Sequence, residues 1–200
     1  MESNKYALAG WLAIVQAVLF PLSFVIAIAE QGIASRFFDI DRPFFGPSDI
    51  MMLFFTVITI YVLLMFKKLL NEHYEYHELN LLIYISVWWA VMFEVIGLGI
   101  GFMTIVLWPV DRILMVIVYL VFFTAAMVTI GIVDILIAVK LLKIKENFSE
   151  YIRVFAYVTM AAGILEVTVF LSPVSLLLVP VTLIILALIF FKDKHEVEYV

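Results

Sequence analysis

Three carboxylic acids interrupt long apolar runs: Glu94 in "MFEVIGLGIG", Asp134 in "IGIVDILIA" and Glu166 in "AGILEVTVF". No Lys or Arg lies at comparable depth to offer an obvious ion pair. A carboxylate surrounded by hydrocarbon must take up a proton, reach water or meet a cation, because its desolvation is otherwise uncompensated. Ionisable groups inside a bilayer are therefore candidates for proton or ion pathways. The competing interpretation is structural: a protonated acid can bond neighbouring helices together, a contact worth about 0.6–2 kcal/mol. Gln16, midway along the first apolar run, is the expected hydrogen-bond partner of Glu94.

Gly97 and Gly101 follow Glu94 in a G-x-x-x-G pattern, which opens a small face for close helix approach. Gly97 is about one turn from Glu94, so the acid is expected to point towards a helix or a second subunit. "GIVDI" and "GILEV" share a pattern of glycine, two aliphatics, an acid and a β-branched residue. Five residues in so apolar a chain are read as coincidence, since an inverted repeat requires whole-segment symmetry.

The remaining chemistry is sparse. Cysteine is absent, so thiolate nucleophiles, cysteine metal sites and disulfides are excluded. His73 and His77 in "NEHYEYHE" would share a helical face with Glu72, Glu75 and Glu78 nearby. Tyr74 breaks the H-E-x-x-H spacing, and only His195 remains as a third histidine. A solvated connector is the better interpretation; His73 and His77 are weak metal candidates, and no cofactor is expected. Without an activated nucleophile or metal, an enzyme is not expected.

The elements that must position these acids are membrane helices. The 200 residues are 66% hydrophobic and 14% charged, against roughly 25% charged in a soluble domain. Lipid is the expected solvent. Six segments approach or exceed the ~20 residues needed to cross hydrocarbon: 6–29, 49–70, 79–108, 113–142, 151–171 and 174–191. Pro21 and Pro180 are expected to kink the first and sixth. Ala27 and Ala29 resemble a signal-cleavage pattern, but the preceding apolar run is too long and poorly charged, so the first span is read as retained. The fold class is an all-α polytopic bundle, a single domain over 1–200.

With the N-terminus inside, Lys5, Lys67, Lys68, Lys140, Lys143, Lys145, Arg153, Lys192 and Lys194 are cytoplasmic, leaving Arg36, Arg42 and Arg112 outside. This bias places both termini in the cytoplasm. "PVDR" and "SPVS" read as tight outer hairpins. Residues 32–49 read as an outer loop lying at the headgroups. Counted from the outer loop ends, Glu94 lies about 21 Å down, Glu166 about 9 Å and Asp134 about 33 Å, so the acids should descend in separate steps.

The expected protein is an oligomeric small channel or transporter for protons or cations in the cell membrane, the inner membrane if prokaryotic. Its expected partners are the bilayer, further copies of itself and a protein partner, but no nucleic acid, since no basic cluster suits one. The alternative is a non-conducting assembly, sensor or scaffold protein working through helix contacts.

Overall fold

The computed structural model describes residues 5–37, 46–106, 112–143 and 149–192. These residues form helices α1 (Ala7–Phe37), α2 (Pro47–His73), α3 (Asn80–Val106), α4 (Arg112–Lys143), α5 (Glu150–Val167), α6 (Ser172–Ser175) and α7 (Leu178–Lys192). Among the described residues, five segments are long and apolar enough to cross a membrane: Ala7–Glu30, Pro47–His73, Asn80–Gly99, Leu120–Lys143 and Ser172–Lys192. The sixth long helix, α5, has 18 residues. The chain is an all-helical membrane bundle.

The principal helix contacts run in ring order: α1 with α2, α2 with α3, α3 with α4, α4 with α5, α5 with α7, and α7 back to α1. Short connections favour sequential neighbours, and small residues determine which neighbours approach closely. On α1, Ala9, Ala13 and Ala17 are buried at four-residue spacing, with Gly10 against the Phe191 ring of α7. Small side chains increase dispersion contact between helices, which matters because lipid offers no hydrophobic gain for helix association.

Packing is unequal along the bundle. The core gathers at the end carrying Lys5: Tyr6, Val62, Phe66, Leu69, Leu70, Leu79, Ile83, Leu141, Ile152 and Phe190 are all nearly inaccessible. Phe66 of α2 meets Phe155 of α5 with ring centroids 5.1 Å apart, crossing the ring of helices. Towards the opposite end, marked by Glu30, no described α3 side chain beyond Ile83 is buried.

Polar contacts tie both ends. At the Lys5 end, Glu72 accepts from Lys5 Nζ at 2.6 Å and Tyr6 Oη at 2.7 Å, while Lys140 pairs with Glu78 at 3.2 Å. At the other end, Glu30 accepts hydrogen bonds from the backbone N–H of Ser48 (3.0 Å) and from its hydroxyl. Asp49 accepts from the Gly46 N–H at 2.9 Å, and Pro47 occupies the first turn where a missing N–H costs nothing. The start of α2 is thus capped partly by its own sequence and partly by a carboxylate from α1.

Several boundaries differ from expectation. Helix α1 continues through 32–37, where a loop is expected; residues 38–45 and 107–111, including Pro109, lie outside the described residues. Helix α5 ends at Val167, short of 171. Val169 there has φ 53°, a left-handed conformation unfavourable for a β-branched residue, and donates its N–H to the Glu166 carbonyl. "SPVS" is itself the short helix α6. Both Pro21 and Pro180 are accommodated within helices; Pro180 is in the first turn of α7, where its absent N–H would have had no helical partner.

Candidate functional site

Helices α4 and α5 cross at Gly131 and Gly163. A Cβ on Gly131 would meet the Gly163 carbonyl at 2.7 Å, and one on Gly163 would meet the Gly131 carbonyl at 2.7 Å. Gly131 also adjoins Val167, and Gly163 adjoins Ile135. Higher numbers on α4 therefore meet lower numbers on α5, so the pair is antiparallel. The two five-residue patterns read as coincidence meet face to face at this crossing.

Each glycine precedes its acid by three residues. Asp134 and Glu166 consequently flank the crossing, with an axial offset of at most about 9 Å at 1.5 Å per residue. They are close enough for their charges to interact. This corrects the separate depths expected for them. Counting from loop ends assumed that both helices start at one boundary. Helix α4, at 32 residues or roughly 48 Å, exceeds the hydrocarbon thickness, so its ends do not calibrate depth.

Glu166 lies on the buried face of α5 with Phe155, Thr159, Ala162 and Gly163. It is 9% exposed, and its Oε2 has no hydrogen-bond partner. The Ser175 side chain, from α6, is within hydrogen-bonding reach of the carboxyl group. Ser175 is 1% exposed and also donates to the Ser172 carbonyl at 2.8 Å. The Thr159 hydroxyl, buried on the same face of α5, also lacks a partner. Asp134 is half-buried on α4. Two carboxylates and the Ser175 hydroxyl thus gather at the α6 end of α5, while Thr159 lies two turns, about 10 Å, back along that helix. Oxygen donors without nitrogen or sulfur suit protons and hard cations.

Glu94 and Gln16 are placed elsewhere and do not bond to each other. Thr56 Oγ1 donates to Glu94 Oε2 at 3.2 Å. Gln16 Nε2 donates to Thr59 Oγ1 at 2.7 Å and to the Phe55 carbonyl at 3.5 Å. Both partners belong to α2, which lies between α1 and α3 and separates the two residues. Thr56 and Thr59 were not singled out from sequence; hydroxyls on an apolar helix facing acid or amide are the signal that identifies them. Glu94 faces protein, as expected, but Gly97 does not share that face: it is exposed, with nothing within 4 Å of an added Cβ. A three-residue step turns a helix 300°, leaving the two positions 60° apart, enough to separate a contact edge from an open surface. The side-chain environment of Gly101 lies outside the described residues.

The histidine segment forms no metal cluster among the described residues. His73 packs edge-on to Tyr6, with ring centroids 5.6 Å apart, and His77 is exposed beyond the end of α2. Neighbouring Tyr76 reaches the Lys140 carbonyl at 3.4 Å; desolvation, then the negative charge of Glu78, pushes its phenol up to about 12.

No protein-family model, curated protein or solved structure matches this chain.

Proposed function

We propose that this integral membrane protein moves protons or small cations across the bilayer, with Asp134 and Glu166 as the binding carboxylates. The observation carrying this reading is the buried Glu166, one carboxylate oxygen of which lacks a protein partner while a second acid lies nearby. Such an arrangement is costly unless a proton or cation completes it. Glu94, bonded to Thr56, supplies a further acid, and Gln16 braces α1 against α2. The closed core at the Lys5 end, and the lack of buried side chains among the described α3 residues beyond Ile83, fit a transporter at rest with one side sealed. The excess of basic residues at one side supports a cytoplasmic location for both termini, and the proposed working form is a homo-oligomer in the cell membrane.

The test is reconstitution into liposomes carrying an internal pH dye, with imposed Na⁺ or K⁺ gradients. Wild type should move protons or cations, and Glu166→Gln should abolish flux without changing the melting temperature. Undiminished flux in Glu166→Gln would remove this acid from the pathway.

A non-conducting assembly protein is the second reading, supported by Gly97. This exposed glycine lies near exposed Val91, Val95 and Leu98 on α3, leaving space for an approaching helix. Absence of wild-type flux, together with loss of oligomers in Gly97→Leu, would favour it.

A further inference from the structure

We propose that Asp134 and Glu166 form one exchange site in which a small monovalent cation displaces a single proton. This inference rests on the transport reading above and specifies what the site binds. The glycine crossing forces the two acids together, because neither backbone can retreat without losing the contact between Gly131 and Gly163. Two carboxylates in one apolar site resist simultaneous ionisation, so a single retained proton leaves the pair with charge −1. Replacing that proton by one monovalent cation also leaves −1: two carboxylates, one cation, one proton released. The exchange therefore adds no charge to the interior, and the large desolvation penalty of a new buried charge is avoided.

The unsatisfied Glu166 oxygen identifies where a cation would be held. Glu166 Oε2 is buried and unpartnered on α5, and the Asp134 carboxylate comes from the facing helix. An unpartnered carboxylate oxygen at that depth is rare unless something completes it. No group of three or more metal-ligating side chains occurs among the described residues. That donor set is poor for Mg²⁺ or Ca²⁺, which favour more oxygen ligands, usually including several carboxylates or waters. Ser175 can follow the exchange. Its hydroxyl has one proton, which serves either the Ser172 carbonyl or Glu166. When Glu166 holds the proton, the serine donates to Ser172 and accepts from the acid. When Glu166 is ionised, the serine can turn its proton to the carboxylate. Ser172 and Ser175 bound α6, so occupancy of the site is felt by the joint between α5 and α7.

A hydrophobic carbodiimide tests this directly, because it modifies only protonated carboxyls in apolar surroundings. The full chain in detergent is treated across a pH series in NaCl, KCl or choline chloride at equal ionic strength, and the adduct at Glu166 is quantified by mass spectrometry. Labelling should fall as pH rises. Na⁺ or K⁺, but not choline, should slow it about tenfold at ten times the cation's Kd. Asp134→Asn should weaken that protection. Since acid variants can disturb packing, Ser175→Ala provides a check: labelling should persist while the protecting cation concentration rises. Equal labelling rates in all three salts, or no labelling of Glu166 at any pH, would overturn the exchange site. Proton flux without cation protection would overturn it while leaving the transport reading intact. Cation protection without flux would retain the site and reject transport.

Discussion

At the residue scale, a position's neighbours matter more than its type. Three acids in apolar runs stand out in any reading of the chain, yet their roles diverge once partners are known. Glu94 already accepts a hydroxyl bond from Thr56. An amide preserves an acceptor there, so Glu94→Gln should leave the melting temperature unchanged, whereas Glu94→Ala should lose about 0.6 kcal/mol, the average for interhelical bonds in membranes. Equal losses in both variants would show that charge, not the bond, matters. Val169 offers a test of opposite sign. A non-glycine residue in the left-handed region costs about 1–2 kcal/mol, and helix ends commonly use glycine to avoid it. Val169→Gly should raise the melting temperature in detergent, and a fall would mean that the valine side chain contributes more packing than its conformation costs. The acids were legible because charge contrasts with apolar surroundings. Thr56, Thr59, Thr159 and Ser175 were not, because a hydroxyl is tolerated on a membrane helix whether it faces lipid, its own backbone or an acid.

At the element scale, the decisive feature is the crossing of α4 and α5. Gly131→Ala or Gly163→Ala would force a methyl group against a backbone carbonyl, which cannot rotate away as a flexible side chain can. Overpacking of this kind typically costs about 1–3 kcal/mol. Each variant should lower the melting temperature, whereas Gly10→Ala should cost less because only the Phe191 ring must shift. Equal effects at all three positions would remove the backbone contact as the reason. The sequence held the signal for this crossing in two matching pentapeptides, but helices apolar on every side give no periodic stripe to reveal which face meets protein. The same ambiguity misplaced Gly97 and the partner of Gln16. Helix existence was legible because length and hydropathy determine it; helix ends were less so, since α1 runs past its apolar stretch and α5 stops inside one. The loop after α2 carries a pH signature. Tyr76 has its phenol raised to about 12 from an ordinary value near 10. The sign is that of a neutral form favoured by folding: this contribution is complete below pH 10 and is lost as pH rises through 12. Wild type should therefore lose stability more steeply than Tyr76→Phe in that window, as measured by melting at stepped alkaline pH.

At the scale of the whole molecule, helix lengths and the distribution of basic residues set the expectation for the number of crossings. Helices α5 and α7 measure roughly 27 and 22 Å, each shorter than the ~30 Å hydrocarbon layer, while α4 exceeds it. Including α6, the returning segment Ser172–Lys192 reaches 21 residues, enough to cross. The hairpin tip would then lie at the outer surface, where Phe170, 95% exposed, is its most accessible side chain. Lys5, Lys67, Lys68, Lys140, Lys143 and Lys192 all fall at the ends of helices that meet at one side of the bundle, the arrangement expected of a cytoplasmic face. The chain contains no cysteine, so single-cysteine variants report without background. With a membrane-impermeant maleimide applied to intact cells, Phe170→Cys should label from outside, and Glu75→Cys only after the membrane is opened. Labelling of Glu75→Cys from outside would invert the topology. Failure of Phe170→Cys to label from either side would place the α5–α7 tip within the bilayer, making it a re-entrant hairpin and setting Glu166 nearer the membrane centre.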